Sequence, residues 1–485
     1  MKPIHQKKYT AVIGLEVHAQ LSLKSKMFSP EPAGYGALPN TQISTISLAH
    51  PGTLPKINKK AVEYAIKLGL ACHAAITREN YFARKNYFYP DLPKGYQITQ
   101  DKTPICQGGH VTINTPTGLE KNIPLQRIHL EEDTGKSIHG MIADATLLDF
   151  NRAGVGLLEI VTEPAIATAE EAYQFLTELR KLVRYLDICD GNMEEGSLRC
   201  DANISVMLAG TTTLGQRVEV KNMNSMRHVQ LAIKHEIARQ IDALTAGAVV
   251  LPETRAYEAA TGQTVSQRSK ESALDYRYFP EPDLPCLVIT DTWIEQIRQD
   301  IPLLPRACYQ KFINLYQIPA YDAAVLSETK EIALFFEATC KLTMHYKAAA
   351  NWVMGPVKAY LNELNLTIQE FPLVPATLAA LIDLVEQDQV SFSVASQKLY
   401  PALLAHPQQT PLELAESLNL LQEKDADRVQ QIVAEVLAAY PDKVAAYKNG
   451  KTGLLAMLMG EVMKKSKGKA APKLASDLLK EKLAH

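Results

Sequence analysis

The hydrophobic period of this chain changes at the proline-broken segment DYRYFPEPDLP (275–285), and that change limits the folds open to it. Before it come short β-like runs broken by Gly and Pro: YTAVIGLEVHAQL (9–21), HVTINTP (110–116), IPLQRIHLEED (123–133), GLLEIVTEP (156–164), LRCDANISVML (198–208) and GQRVEVKN (215–222). In several of them apolar and polar residues alternate, the period of a half-buried strand. After it, WIEQIRQDI, ACYQKFINLY, KEIALFFEATCKL and YKAAANWVMGPVKAYLNEL carry the helical period instead. Strands followed by helices predict an α+β architecture. Its expected divisions are an N-terminal cradle domain on a largely antiparallel β-sheet (1–290), an all-α helical domain (291–407) and an all-α C-terminal tail domain (408–485). The 485 residues exceed the roughly 250–300 at which one hydrophobic core stops growing, which calls for such a division.

Within the strand-rich region a helix is marked clearly. Thr168 and Glu171 have the spacing of a capping box, and Ala172, Leu176, Leu179, Val183 and Leu186 follow at helical period. Near the end, Val429, Ile432, Val433, Val436, Leu437 and Tyr440 form an amphipathic stripe, with Gly450 as the expected left-handed stop. The net charge of −2 excludes a uniformly basic coat, yet residues 441–485 hold ten lysines against four acids, a local balance of +6. Seven cysteines without a C-x-x-C pair point to small core residues. No stretch approaches the ~18–20 apolar residues of a membrane span, and the expected location is cytoplasmic.

The chemistry-bearing residues follow from strand alternation. Glu16 and His18 lie two apart on one strand and so share a face, where a carboxylate and an imidazole can hold one divalent cation. Glu159 and Glu163 are expected to share a face in LLEIVTEP, and Arg199, Asp201, Asn203 and Ser205 in LRCDANIS. Glu131, Glu132 and Asp133 close another strand. Each has an ordinary role beside the chemical one: a hydrogen-bonded core histidine, a solvated acidic turn, unrelated strand surfaces. If the carboxylates converge, their repulsion calls for a cation, and Mg²⁺ on phosphate needs only one or two of them. The segment 79–100 interleaves Tyr81, Arg84, Lys85, Tyr87, Tyr89, Lys94 and Tyr96, a mixture that suits base stacking and phosphate contact as well as a buried aromatic turn.

Common nucleotide and nucleophile motifs are missing. Gly450, Lys451 and Thr452 imitate a P-loop end, but Ala445 occupies the upstream glycine position; Gly154 and Gly156 begin a dinucleotide fingerprint that Glu159 breaks. There is no G-x-S-x-G elbow.

Seven ordered blocks resemble one family, the B subunit of the aspartyl/glutamyl-tRNA amidotransferases. They are VIGLEVHAQL (12–21), KNYFYPDLPKGYQITQ (85–100), IHLEEDTGKSIH (128–139), LLDFNRAGVGLLEIVTEP (147–164), EEGSLRCDANISV (194–206), EVKNMNSM (219–226) and SKESALDYRYFPEPDLP (269–285). The resemblance implies a protein that uses ATP and Mg²⁺ to phosphorylate the side-chain carboxylate of a misacylated Glu-tRNA or Asp-tRNA. It also implies partners in a heterotrimer, namely an amidase (glutaminase) chain that frees ammonia from glutamine and a small third chain. It carries metal-ligand roles to Glu16, His18, Glu131, Glu159, Glu163 and Asp201, and phosphate or channel contacts to Lys85, Arg199 and Lys221. The basic tail resembles the family's tRNA-associated helical module. Two departures stand out: Ser44 and Ser47 replace a cysteine pair that holds structural zinc in many members, and Gly156 replaces a proline, which is expected to loosen the loop before Glu159. Two other readings stand beside this one: a non-catalytic tRNA-binding or assembly protein, and a metal-dependent hydrolase acting alone.

Overall fold

The computed structural model describes residues 8–115, 117–269, 276–422, 426–466, 470 and 472–484. They fall into two compact units, divided between Leu304 and Pro305.

The first unit is built on a sheet of ten strands among the described residues. The strands that matter below are β1 (Tyr9–Gln20), β2 (Ala83–Asn86), β3 (Tyr96–Thr99), β4 (Glu120–Glu132), β5 (Gly156–Thr162), β6 (Leu198–Leu208) and β7 (Val218–Lys221). In the large sheet β7, β6, β1, β5 and β4 are neighbours in that order, paired antiparallel. The pairing of β7 with Glu253–Glu258 is parallel. β2 and β3 belong to a separate three-stranded sheet with Phe279–Pro280.

Alternation gives the large sheet one apolar and one polar side. Ile13, Leu15, Val17 and Ala19 of β1 are fully buried, and so are Leu158, Ile160, Ala202, Ile204, Ile128 and Leu130 on its neighbours. These pack with residues of the helices Lys59–Ala71, Ala169–Tyr185 and Met226–Thr245 into one core. The helix Asp291–Gln299, which the sequence assigns to the helical domain, contributes Ile294 and Ile297 to that same core.

The helix predicted from Thr168 forms, with the Thr168 hydroxyl accepting from the Glu171 N–H at 3.1 Å. Its partner bond differs from a strict capping box. The Glu171 carboxylate accepts from the Ala167 N–H, one residue before the cap, at 2.8 Å and from Lys121 of β4 at 2.7 Å.

The second unit is helical. Tyr346–Leu364 is a helical run interrupted by a π-turn at Val353–Val357, where Pro356 has no N–H to give the preceding turn. Near the end, Val429, Val433, Val436, Leu458, Val462, Ala475 and Leu479 form their own core. The stripe predicted to run on to Gly450 breaks instead at Tyr440, and Pro441 starts a new helix, Pro441–Lys448. Proline is pre-set for a first helical position but cannot continue a helix. Gly450 follows that second helix with φ +97°, the left-handed geometry expected of it. Among the described residues no helix is long and apolar enough to cross a membrane.

Candidate functional site

The polar side of the large sheet is a grid fixed by register. One row runs Arg199, His18, Glu159, His129 across β6, β1, β5 and β4; the next begins Asp201, Glu16. Paired residues on neighbouring strands lie ~4.5–5.5 Å apart at Cβ, so groups scattered along the sequence become neighbours.

Two clusters emerge. In the first, His129, Glu131 and Glu159 bring ligand atoms within 4.8 Å of one another, and all three side chains are buried. Glu159 Oε2 lies 3.3 Å from His18 Nε2 and 3.4 Å from His129 Nε2, while His129 Nε2 is 3.3 Å from Glu131 Oε2. Burial alone pulls the His129 pKa down, but Glu131 and Glu159 outweigh it and lift the value to about 9. Burial likewise opposes ionisation of Glu159, yet His129 and His18 hold its carboxyl well below the usual range. The cluster is therefore strongly charged although it is nearly closed to water. His129 Nδ1 is buried without a hydrogen-bond partner among the described residues.

The second cluster is Glu16, Asp201 and Glu219, whose carboxylate oxygens also lie within 4.8 Å of one another. Asn203 Nδ2 donates to Glu16 at 2.8 Å, and the Lys221 ammonium lies 2.6 Å from Asp201 and 3.1 Å from Glu219. Burial disfavours the Lys221 charge, but Asp201 and Glu219 keep the ammonium protonated above its ordinary range.

The rim comes from the smaller sheet and from the end of β4. Thr99 donates to Glu131 at 3.0 Å, and Gln97 donates to the Glu132 carbonyl at 2.6 Å. Glu132 accepts from the Ile98 N–H at 2.9 Å and pairs with Lys94. Asp133 pairs with Arg199 at 2.8 Å. Glu131, Glu132 and Asp133 are thus all buried and partnered, so the solvated-turn reading of this run does not hold. Lys85 lies with its ammonium 5.1 Å from the Tyr276 ring centre. Burial lowers its pKa, and Glu131, with Tyr278 and Glu159 after it, more than restores it.

Of the residues read from sequence, the polar face carries His18, Glu131 and Glu159 in one cluster and Glu16 and Asp201 in the other, with Lys221, Arg199 and Lys85 around them. Glu163 is not brought to either. The pairing of β5 shifts between Val161 and Thr162, the strand ends there, and Glu163 lies exposed. Two members escaped the sequence reading, His129 and Glu219. Both sit two residues from a residue already singled out (Glu131, Lys221), and the same alternation would have found them.

The two departures are also placed. The Ser44 N–H donates to Ser47 Oγ at 3.0 Å and Ser47 Oγ donates to the Ser44 carbonyl at 3.2 Å, a turn closed by hydroxyls where zinc takes thiolates. Gly156 does not loosen a loop. It is the first residue of β5, paired with Glu132, and a Cβ there would lie 3.1 Å from Leu23 Cδ1 and 3.2 Å from Met27 Sδ.

The second cluster is all carboxylate and the first joins two carboxylates to two imidazoles, donor sets that suit a divalent cation, and the cations Lys85, Arg199 and Lys221 around them suit phosphate. Fold and site together define a class: an α+β protein whose large sheet gathers two clusters of acids and imidazoles, edged by cations, on its polar face. Residues 11–295 match the GatB/GatE catalytic domain, and residues 334–483 match the GatB domain. The aspartyl/glutamyl-tRNA(Asn/Gln) amidotransferase B subunit from Salinibacter ruber is 46% identical, covering 98% of this chain and 97% of that protein. The B subunits of the same name from Nitrosococcus oceani and Geobacter sulfurreducens are each 46% identical, with 98% of this chain and 99% of theirs covered. The chain belongs to the family of aspartyl/glutamyl-tRNA(Asn/Gln) amidotransferase B subunits.

Proposed function

We propose that the polar sheet face phosphorylates the side-chain carboxylate of a glutamate or aspartate esterified to a mismatched tRNA, at the expense of ATP, and then exposes the acyl phosphate to ammonia. The observation that carries this reading is the convergence of two carboxylate clusters with Arg199 and Lys221 on one face of the large sheet, with Lys85 brought beside Glu131 from the smaller sheet. A carboxylate oxygen attacks the γ-phosphorus and ADP leaves; ammonia then adds to the acyl carbon and phosphate leaves, giving the amide. Little covalent chemistry falls to the protein, so positioning and charge neutralisation do most of the catalysis.

In this reading Glu16, Asp201 and Glu219, and His129, Glu131 and Glu159 with His18, would hold Mg²⁺, which when bound neutralises phosphate charge. Lys85 is half-buried beside Glu131 and still charged, placed to meet phosphate oxygens. Arg199 is fixed by Asp133, and Lys221 by Asp201 and Glu219, so both cations are oriented in advance. An amidase (glutaminase) chain supplying ammonia and a small third chain complete the heterotrimer, and its place is the cytoplasm. The test is ATP turnover by the assembled complex as Mg²⁺ and acylated tRNA are varied. Turnover that requires both is expected; tRNA binding without turnover would move this chain to a tethering role.

We further propose that residues 408–485 form a distinct module that grips the tRNA body. Eight of its lysines, at 443, 448, 451, 464, 465, 473, 480 and 482, are exposed. Converting Lys464, Lys473 and Lys480 to alanine is expected to weaken tRNA binding and flatten its salt dependence, by about 0.7–0.9 in log–log slope for each lysine that meets a phosphate. An unchanged slope would remove the tail from the RNA interface.

A further inference from the structure

The serines that stand where zinc-binding members have cysteines belong to a buried cluster whose other half is charged. Ser25 and Pro32 bridge across a turn, and within it the Lys26 N–H donates to the Glu31 carbonyl at 3.0 Å. The Lys26 side chain is fully buried, its ammonium 3.5 Å from Glu31 Oε1 and 3.4 Å from the Phe150 carbonyl oxygen. Glu31 is buried beside it. Burial opposes the charge of Glu31, but Ser47, its own backbone, Ser44 and Ser29 hold the carboxyl below its usual range. None of those hydroxyls is aligned into a full hydrogen bond with it among the described residues, and the ammonium is its ionic partner. Burial likewise pulls the ammonium below its ordinary value, against Glu31, Glu132 and Asp149.

This set does not suit zinc. A structural zinc is held by four ligands, chiefly thiolates and imidazoles, each deprotonated at the binding atom. Here the side chains offer one carboxylate and neutral hydroxyls, and that carboxylate already faces an ammonium, which repels a second cation. Among the described residues no three His, Cys, Asp or Glu ligand atoms converge at this turn.

The same lysine lies where the turn meets the reactive face. The Met27 N–H donates to the Gly154 carbonyl at 2.8 Å, and the Gly154 N–H donates to the Asp133 carbonyl at 2.9 Å. A Cβ on Gly154 would lie 3.5 Å from Lys26 Cδ, 3.8 Å from Glu132 Oε2 and 3.9 Å from Ser47 Cβ. The 44–47 turn, the stem of Lys26 and the end of β4 thus come together at one glycine just ahead of β5. We propose that this turn carries no zinc and that the buried ammonium of Lys26 does the metal's work. It fastens Glu31 and the 44–47 turn to the connection before β5, and so acts as a positioning residue for the acids that close β4. The positioning part rests on the reading of the polar face as the reactive one.

The test uses the assembled complex from cells grown with added zinc. Its melting midpoint is expected to stay where it is when a zinc-selective chelator, one that leaves Mg²⁺ bound, is added. A zinc in each copy of this chain, lost to the chelator together with stability, would overturn the proposal. Lys26→Met keeps the length of the side chain and strands the Glu31 charge, and the midpoint is expected to fall by several degrees. Adding Glu31→Gln removes the second charge and is expected to recover most of that fall, because a buried pair replaced on both sides costs little. A single variant as stable as the parent, or a double variant no better than the single, would overturn the ion pair as the fastener. Neither variant can donate to the Phe150 carbonyl, so both are expected to amidate about 10- to 100-fold more slowly well below their midpoints, with glutamine hydrolysis by the amidase chain kept. Low amidation in the double variant, whose stability has returned, separates positioning from mere stability; parental amidation there would overturn the positioning role. Zinc content and melting are read without ATP, so a parent complex that never turns ATP over would defeat the phosphorylation reading and leave the fastener standing.

Discussion

Glu159→Gln is expected to lower tRNA-dependent ATP turnover and amidation by about 10²–10³-fold, the range for removing one preorganised electrostatic group from a water-poor site. Glu159 is the carboxylate that both His18 and His129 approach, at 3.3 and 3.4 Å, so it joins two strands' worth of site into one cluster. Glutamine keeps the shape and the burial but removes the charge that two imidazoles and a cation require. His129→Ala should act in the same direction, since it removes the group between Glu131 and Glu159 and leaves two buried carboxylates facing each other. The comparison to make is between ATP turnover and glutamine hydrolysis by the amidase partner in the same preparation. A fall in the first with the second maintained places the defect at this sheet. If Glu159→Gln amidates at the parental rate, the cluster is structural.

The largest effect on stability is expected at Glu236, on the helix Met226–Thr245 that packs on the apolar side of the sheet. Its carboxylate is fully buried in the helix Met226–Thr245 and accepts from Arg239 at 2.7 and 3.0 Å, from Gln240 at 2.8 Å and from Thr264 at 2.9 Å, with Arg255 at 3.5 Å. These partners tie the helix to the strands Glu253–Glu258 and Gln263–Ser269 at one edge of the large sheet. Glu236→Ala removes the anion and leaves the surrounding donors without it, a change that costs about 3–5 kcal/mol when a buried pair is broken on one side only. A fall in the melting midpoint on the order of 10 °C should follow. A shift of a degree or less would mean that water or a rearranged Arg255 replaces the carboxylate.

How far the sequence could be read depended on whether a signal was local. Alternation along a single strand is local, and it placed Glu16 with His18 and Arg199 with Asp201 on common faces. It failed at Glu163 because a register shift is a property of two strands at once, and nothing within LLEIVTEP marks it. His129 and Glu219 were within reach of the same rule. The separation into two clusters was out of reach, since it follows from which strands are neighbours. So were the contributions of Gln97 and Thr99, which enter from a second sheet. The break at Tyr440 was legible from Pro441, but the apolar stripe across it dominated.

The two-sidedness of β1, β5 and β6 also bears on how such a chain can change over time. Each of these strands is at once a wall of the core and a wall of the site, with Leu15 and Val17 on one side of β1 and Glu16 and His18 on the other. Side chains can be exchanged one by one without disturbing the opposite surface. A single inserted or deleted residue, by contrast, turns the strand over and sends carboxylates into the core while aliphatic groups face the ligand. Changes in length are thereby tolerated in the connections and not within these strands, whose residue spacing is held by the core on one side and by the site on the other.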